Sequence, residues 1–470
     1  MPQKPEGDRV TPASLNKCPI IPGRRIRLWW PFVFMKSHRS PGLPQIPEVS
    51  LLPGMYAYMT MFTNHWSSTL DANRPLLMLL YYRFLMSTVS LVCYYTYPIL
   101  SRRHPPEAPK GSKQSISDVT VVCATLGRDS TRLKASIRSW LVNSPKAILV
   151  VTGPRNYAAL SKHLDSLSLD CIQVLRANEE NKREQLAVGF KACSTGIAVV
   201  ADDDTHWSPT VLQTLVEAFA ENESIGAVFP EVKLHPVGKE FNFWEMMAAI
   251  RLFGNCVDIR TSMLIDGGMF CASGTTAAYR ARVVKDPGFL SYFLDEHFLG
   301  AKLNAGDDQS FSSWLCRQGW EVALVEDGGP RNCRVKCTPR ATWLHLFQLA
   351  RWSRSDWISY INALLFYRTI WRRYPFTAHY DLMWCMETFA PIIEAFGIIE
   401  LERTHEKVML VAIIGASRIL RYLPEILSSW KRAVLLPLIA VYLYVLELVK
   451  LYALLTLSNV SFNPGAFMAR

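Results

Sequence analysis

Three short runs in this chain carry residue types that do chemistry when brought together. The first is Val199-Val200-Ala201-Asp202-Asp203-Asp204-Thr205, in which carboxylates follow directly on a buried-type apolar strand. Hard oxygen donors at a strand end suit a divalent cation, which would bridge to a diphosphate and offset its charge as it departs. Taken alone, the same acidic loop serves equally well to cap a helix beginning near Pro209. The second run, Ala305-Gly306-Asp307-Asp308-Gln309, opens a helix-like stretch that ends at Gly319. A carboxylate there can take the proton of an attacking hydroxyl, or simply cap its helix. The third is Gln348-Leu349-Ala350-Arg351-Trp352. Arginine pairs with diphosphate oxygens, tryptophan offers a flat apolar face to a sugar ring, and helical spacing brings Gln348 and Trp352 to one side. A snorkelling arginine beside an aromatic membrane belt has the same pattern.

The elements that must position these runs follow from the alternation around them. Between Asp118 and about Cys337, β-branched stretches at Val119–Ala124, Ala147–Thr152, Ile172–Leu175, Ile197–Ala201 and Ala227–Phe229 alternate with helical segments. That pattern predicts an α/β domain built on a mainly parallel sheet. In such sheets ligands gather at the carboxyl ends of the strands, which is where the acidic run falls.

Half of the 470 residues are apolar and 19% are charged, more apolar material than one soluble core needs. Leu76–Leu100 is long enough to cross a bilayer, with its one charge, Arg83, near the start where it can snorkel. Arg102, Arg103, Lys110 and Lys113 follow it, which places the next domain in the cytosol by the positive-inside rule, although Arg24, Arg25 and Arg27 pull the other way. Beyond Ala341, tryptophans and phenylalanines interleave with arginines as in a helix lying in the membrane interface. Apolar stretches follow at Leu382–Ile399, Val408–Leu420 and Ala433–Leu457, the last a span despite Glu447 and Lys450. The expected organisation is therefore a basic arm over 1–75, read as free of a signal peptide, a transmembrane helix over 76–100 and a linker over 101–117. A catalytic domain over 118–340, an interfacial region over 341–378, transmembrane or interfacial helices over 379–457 and a tail over 458–470 complete it. The formal charge of +11 is dispersed and matches no nucleic-acid module, so nucleic acid is not an expected partner. The 11 cysteines are odd in number and lack metal-ligand pairing, which fits a catalytic part in a reducing compartment.

In this order and spacing the three runs resemble the processive membrane glycosyltransferases of family 2, which include hyaluronan, chitin and cellulose synthases, and most of all their smaller fungal polysaccharide-synthase relatives. The resemblance spans about Asp118–Ser355, and Gln-x-x-Arg-Trp is its most specific part. It implies a GT-A nucleotide-diphospho-sugar fold flanked by transmembrane and interfacial helices. It also implies inverting transfer that is dependent on Mn²⁺ or Mg²⁺, with Asp202 and Asp204 as the DxD metal pair and Asp202 also facing the diphosphate. Asp308 would be the general base, with Asp307 as its alternate. Gln348, Arg351 and Trp352 would bind the donor diphosphate and the acceptor end. Asn181-Lys182-Arg183 is similar to the basic segment near the nucleotide, Thr125 lies in the nucleotide-contact region, and Ser273-Gly274-Thr275 is similar to the segment beside the acceptor. For Lys182 and Arg183 ordinary surface charge is the alternative, and for Ser273-Gly274 a plain turn. The chain departs from the family at Cys123-Ala124-Thr125-Leu126, where relatives have a Pro-Thr-Tyr-Asn type sequence, and in lacking a Trp-Gly-Thr-Arg type tail. Expected partners are a nucleotide sugar, UDP-linked by family habit, a glycan or lipid acceptor, and membrane lipids. The expected location is a multi-pass protein of the plasma membrane with its catalytic domain in the cytosol, making a cell-wall or cell-surface polysaccharide; single transfer to a lipid or lipophilic metabolite is the alternative.

Overall fold

The computed structural model describes residues 74–101, 115–127, 129–165, 169–236, 238–269, 271, 274–327, 333–337 and 342–458. Residues 1–73 of the expected basic arm, most of the linker, Ser273 and nearly all of the tail lie outside the described residues.

The strands are β1 (Val119–Ala124), β2 (Ala147–Thr152), β3 (Ile172–Arg176), β4 (Ile197–Ala201), β5 (Thr205–Trp207), β6 (Ile225–Pro230), β7 (Val232–Leu234), β8 (Thr276–Arg280), β9 (His297–Phe298), β10 (Ala301–Lys302), β11 (Glu321–Val325) and β12 (Val335–Cys337). Seven of them form one sheet in the order β11-β6-β8-β4-β1-β2-β3. Continuous Val, Ile and Ala runs in β1, β2 and β4 are what strands covered on both faces require, and alternate residues go to opposite cores. Val119, Val121 and Cys123 enter one cluster with Ile148, Val150 and Val199, while Val122 joins Val151, Ala198 and Val200 on the other face.

The sheet is mixed where a mainly parallel one was expected. β1, β2, β3 and β4 run parallel, as do β6 and β11, but β8 is antiparallel to both β4 and β6. β8 carries no β-branched run: Thr276-Ala277-Ala278-Tyr279-Arg280 becomes a strand because every residue of it is buried between two neighbours, a tertiary demand that overrides local preference.

The longer helices are α1 (Arg74–Ser101), α2 (Ser130–Leu141), α3 (Tyr157–Asp165), α4 (Lys182–Ala192), α5 (Val211–Glu221), α6 (Phe243–Ile265), α7 (Asp307–Gln318), α8 (His345–Phe366), α9 (Pro375–Glu387), α10 (Ala390–Ile399), α11 (Thr404–Ile419) and α12 (Leu436–Leu455). α4 lies so close on the sheet that a Cβ at Gly189 would come within 2.3 Å of Val122 Cγ1. Asn242 and Glu245 cap the start of α6 reciprocally, a capping box that satisfies two of its free N–H groups.

Among the described residues two helices are long and apolar enough to cross a membrane, α1 over Arg74–Leu100 and α12, with 27 and 20 residues. The pair α9 and α10, bent by 51° at their junction, adds a third if taken as one broken span. The apolar stretch Leu382–Ile399 is thus not one straight helix; it breaks ahead of Pro391, which sits in the first turn of α10 where a proline is tolerated. Arg83 does not snorkel. Its guanidinium is buried against Glu387 at 2.7 Å and also pairs with Glu394, because carboxylates from α9 and α10 reach it in the interior. Glu447 and Lys450 of α12 likewise pair with each other at 3.1 Å. α8, expected to lie in the interface, packs into the protein: Leu349 shares a cluster with Ile250 of α6 and Leu443 of α12.

Candidate active site

β4 ends at Ala201, and the turn that follows projects three carboxylates from the carboxyl edge of the sheet. The backbone N–H of Asp202 donates to the Thr275 carbonyl at 3.0 Å and that of Thr205 to the Asp202 carbonyl at 3.1 Å, so the turn is pinned to the start of β8. Each carboxylate has its own partner. Asp202 Oδ1 lies 3.1 Å from Lys182 Nζ, Asp203 accepts the Thr125 hydroxyl at 2.5 Å, and Asp204 pairs with Arg132 of α2.

Lys182 opens α4, whose N-cap Asn181 accepts the Arg183 N–H at 2.9 Å. Its ammonium also lies 3.0 Å from Asp307 Oδ2, and so bridges the turn after β4 to the start of α7. Arg183, next in sequence, points the other way. It is buried and bonds to the carbonyls of Phe293 at 3.0 Å and Ala305 at 2.7 Å and to the Glu296 carboxylate at 2.9 Å. Its place is behind the acidic loop, which it holds. Gly306 makes that loop possible by taking the left-handed conformation, with φ of 72°, at the N-cap of α7.

Asp308, half-buried at the first turn of α7, faces Gly274: a Cβ there would stand 3.2 Å from Asp308 Oδ2. Burial, and then the charge of Asp307, push the Asp308 carboxyl up to about 7. Burial acts on Asp307 in the same direction, but Lys182 outweighs it and holds Asp307 below the usual range. Burial and the neighbouring Asp202 charge push Asp204 up to about 7. For Lys182 burial favours the neutral amine, yet Asp202, Asp307 and Asp308 together hold it well above its ordinary value. The site thus contains one carboxylate held as an anion, Asp307, and two raised toward neutrality, Asp308 beside it and Asp204 on the turn after β4.

One cavity of about 450 Å³ is lined by Lys182, Asp202, Asp204, Gly274, Asp307, Asp308, Gln348, Arg351 and Trp352. The three runs, far apart in sequence, therefore open onto a common space. Trp352, one of the lining residues, is 40% exposed. Thr125 is buried and reaches the site only through Asp203. Local sequence gives no sign of Arg132, which follows the N-cap Asp129 of α2 by three residues, or of Cys271, whose thiol bonds to Asp308. Both acquire their places from chain crossings.

A hard divalent cation fits this donor set. Asp202 and Asp204 offer only oxygen, and Asp204 is raised by burial and by the charge of Asp202, a repulsion that a cation relieves. No group of three acidic, histidine or cysteine side chains converges on one point among the described residues, so the remaining coordination positions would fall to diphosphate and water, the usual arrangement for Mg²⁺.

Residues 117–355 match the glycosyltransferase-like family 2 domain, half of the chain. The chain belongs to that family. Its mixed sheet is the GT-A-like fold of a family 2 glycosyltransferase, and its activity is sugar transfer from a nucleotide sugar. A type 2 glycosyltransferase of Gibberella zeae is 26% identical over 82% of this chain and 74% of its own length. The NDP-glycosyltransferase ltbB of Aspergillus luteorubrus is 27% identical over 61% of this chain and 71% of its own. Hyaluronan synthase 3 of Mus musculus is 25% identical over 41% of this chain and 34% of its own.

Proposed function

We propose that this glycosyltransferase catalyses inverting transfer from a nucleoside-diphospho-sugar to an acceptor hydroxyl and that it extends a cell-surface polysaccharide at the cytosolic face of the plasma membrane. The observation that carries the reading is the single cavity shared by the Asp202–Asp204 turn, the Asp307–Asp308 turn and the face of α8 bearing Gln348, Arg351 and Trp352. Asp308, with its carboxyl near 7, is the base: it takes the acceptor proton as the hydroxyl oxygen bonds to the anomeric carbon. The bond from that carbon to the diphosphate breaks on the opposite side, and the nucleoside diphosphate leaves. Asp307 does not compete, because Lys182 lowers its affinity for a proton and leaves it the weaker base.

Asp202 and Asp204 would hold Mn²⁺ or Mg²⁺, which when bound offsets charge on the leaving diphosphate. Lys182 and Arg351 orient the diphosphate from two sides, and Trp352 with Gln348 holds the acceptor end. Arg183 acts behind the site by fixing the Ala305–Gly306 backbone, which sets where the base stands. Ser273, beside Gly274 in sequence, belongs to the proposed acceptor side by its place in the chain.

The cavity volume favours a second reading. About 450 Å³ falls in the range of pockets that enclose one small ligand, roughly 300–1,000 Å³, so single transfer to a lipid or lipophilic metabolite suits it as well. Incubating purified full-length protein with radiolabelled UDP-sugars and sizing the products tests both: long polymer supports the first, a single added sugar the second, and no nucleotide release from any donor overturns the enzyme reading.

A further inference from the structure

The cavity does not stop at the catalytic carboxylates. It continues between α1, α6, α9 and α12, where its wall carries cationic side chains. Nearly all of these are paired within the protein. Arg83 holds Glu387 at 2.7 Å, Arg418 holds Glu394 at 3.0 Å, Arg421 grips Asp258 with two bonds of 3.1 and 3.0 Å, and Lys450 holds Glu447 at 3.1 Å.

Arg251 is different. It sits mid-way along α6, lines the same cavity, and makes no hydrogen bond or ion pair among the described residues. The carboxylates within reach of its charge are Asp258 and Asp356. Asp258 is taken by Arg421, and Asp356 accepts the Gln309 amide at 2.8 Å. The residue before it, Ile250, packs in one cluster with Leu349 of α8, so Arg251 lies at the seam with the helix that carries Gln348, Arg351 and Trp352. A half-buried arginine in a ligand cavity whose own fork makes no hydrogen bond is a receptor for an oxyanion, since its planar fork matches carboxylate and phosphate.

We propose that Arg251 receives an anionic group of the acceptor, so that the substrate which takes the sugar carries a carboxylate or a phosphate as well as the reacting hydroxyl. This rests on the transferase reading above and adds the acceptor class to it. A neutral glycan would leave the hydrogen-bonding fork of Arg251 without an acceptor in this cavity.

The test uses the full chain in lipid nanodiscs and reads binding directly, independently of turnover. The probes are octyl glucuronide, the neutral octyl glucoside, and phytanyl phosphate supplied in phosphatidylcholine nanodiscs, measured with wild type, Arg251→Gln and Arg251→Lys. Release of nucleoside diphosphate from donor alone reports the donor site. The expected result is that at least one anionic probe binds about tenfold tighter than octyl glucoside, as one charge-assisted bond would give. That preference disappears in Arg251→Gln and returns in part in Arg251→Lys, while donor hydrolysis stays unchanged. Preference for the glucuronide assigns a carboxylate acceptor, and preference for phytanyl phosphate a lipid phosphate. Equal binding of all three probes by wild type overturns the proposal, as does a preference that survives in Arg251→Gln. Should Arg251→Gln fail to fold, a preference in wild type that weakens in Arg251→Lys supports the contact, and an unchanged preference in Arg251→Lys or none in wild type refutes it. Absence of donor hydrolysis in wild type strikes instead at the transferase reading.

Discussion

Replacing Asp308 by asparagine removes one oxygen's charge and leaves the shape of the site, so it isolates proton removal. The Asp308 carboxyl stands at about 7, and a base must be ionised to act. A group titrating there is roughly one-tenth ionised at pH 6 and roughly nine-tenths at pH 8, so kcat/KM of the wild type rises about tenfold across that interval and levels above it. The sign follows from the group being an acid raised by burial and by the Asp307 charge: protonation from below silences it, and alkali does not. Asp308→Asn should lose about a hundredfold or more of the transfer rate, the range for removing general base catalysis, and should lose the rise near pH 7 with it. Nucleotide affinity, measured by calorimetry, should hold, because the Lys182 bridge runs through Asp307 at 3.0 Å and not through Asp308. With the divalent cation saturating, which would keep Asp204 ionised, a wild-type limb near pH 4, or an asparagine variant that keeps the limb at 7, would refute the assignment.

Excess chelator should abolish transfer, and Asp204→Asn should do so while thermal unfolding stays close to wild type; full activity in chelator would count against the cation. Trp352→Ala should lower transfer per folded molecule more than it lowers nucleotide affinity, whereas Arg351→Ala should lower both, as separate activity and binding titrations would show. Gly189→Ala should destabilise the catalytic domain by about 1–3 kcal/mol, the usual cost of overpacking, since its Cβ would meet Val122 Cγ1 at 2.3 Å; an unchanged denaturation midpoint would mean that α4 shifts freely.

What the sequence disclosed and what it concealed divide along physical lines. β1, β2 and β4 were legible to the residue because strands buried on both faces must be continuous in apolar, β-branched residues. β8 was not, since alanines and an arginine become a strand only when flanked on both sides. The Asp202 and Asp308 runs announced themselves by crowding carboxylates, and both line one cavity. The neighbouring cations were opaque: Lys182 and Arg183 look alike in the sequence, yet one spans two carboxylates and the other is closed into a cage of carbonyls. Arg83 was misjudged because the charges that hold it lie 304 and 311 residues further on.

That distance gives the first helix a history. α1 is made early and its counter-ions, Glu387 and Glu394, late. At about 5–20 residues per second, the ribosome needs roughly a quarter of a minute to a minute to reach them. For a span inserted as it emerges, Arg83 spends that interval as a lone cation against lipid, at about 2.5–3.5 kcal/mol on translocon scales. The helix is apolar enough to bear that cost for a time, but its final seat exists only once α9 and α10, in the last fifth of the chain, have been made. A truncation ahead of α9 would therefore leave Arg83 without either of the carboxylates that hold it.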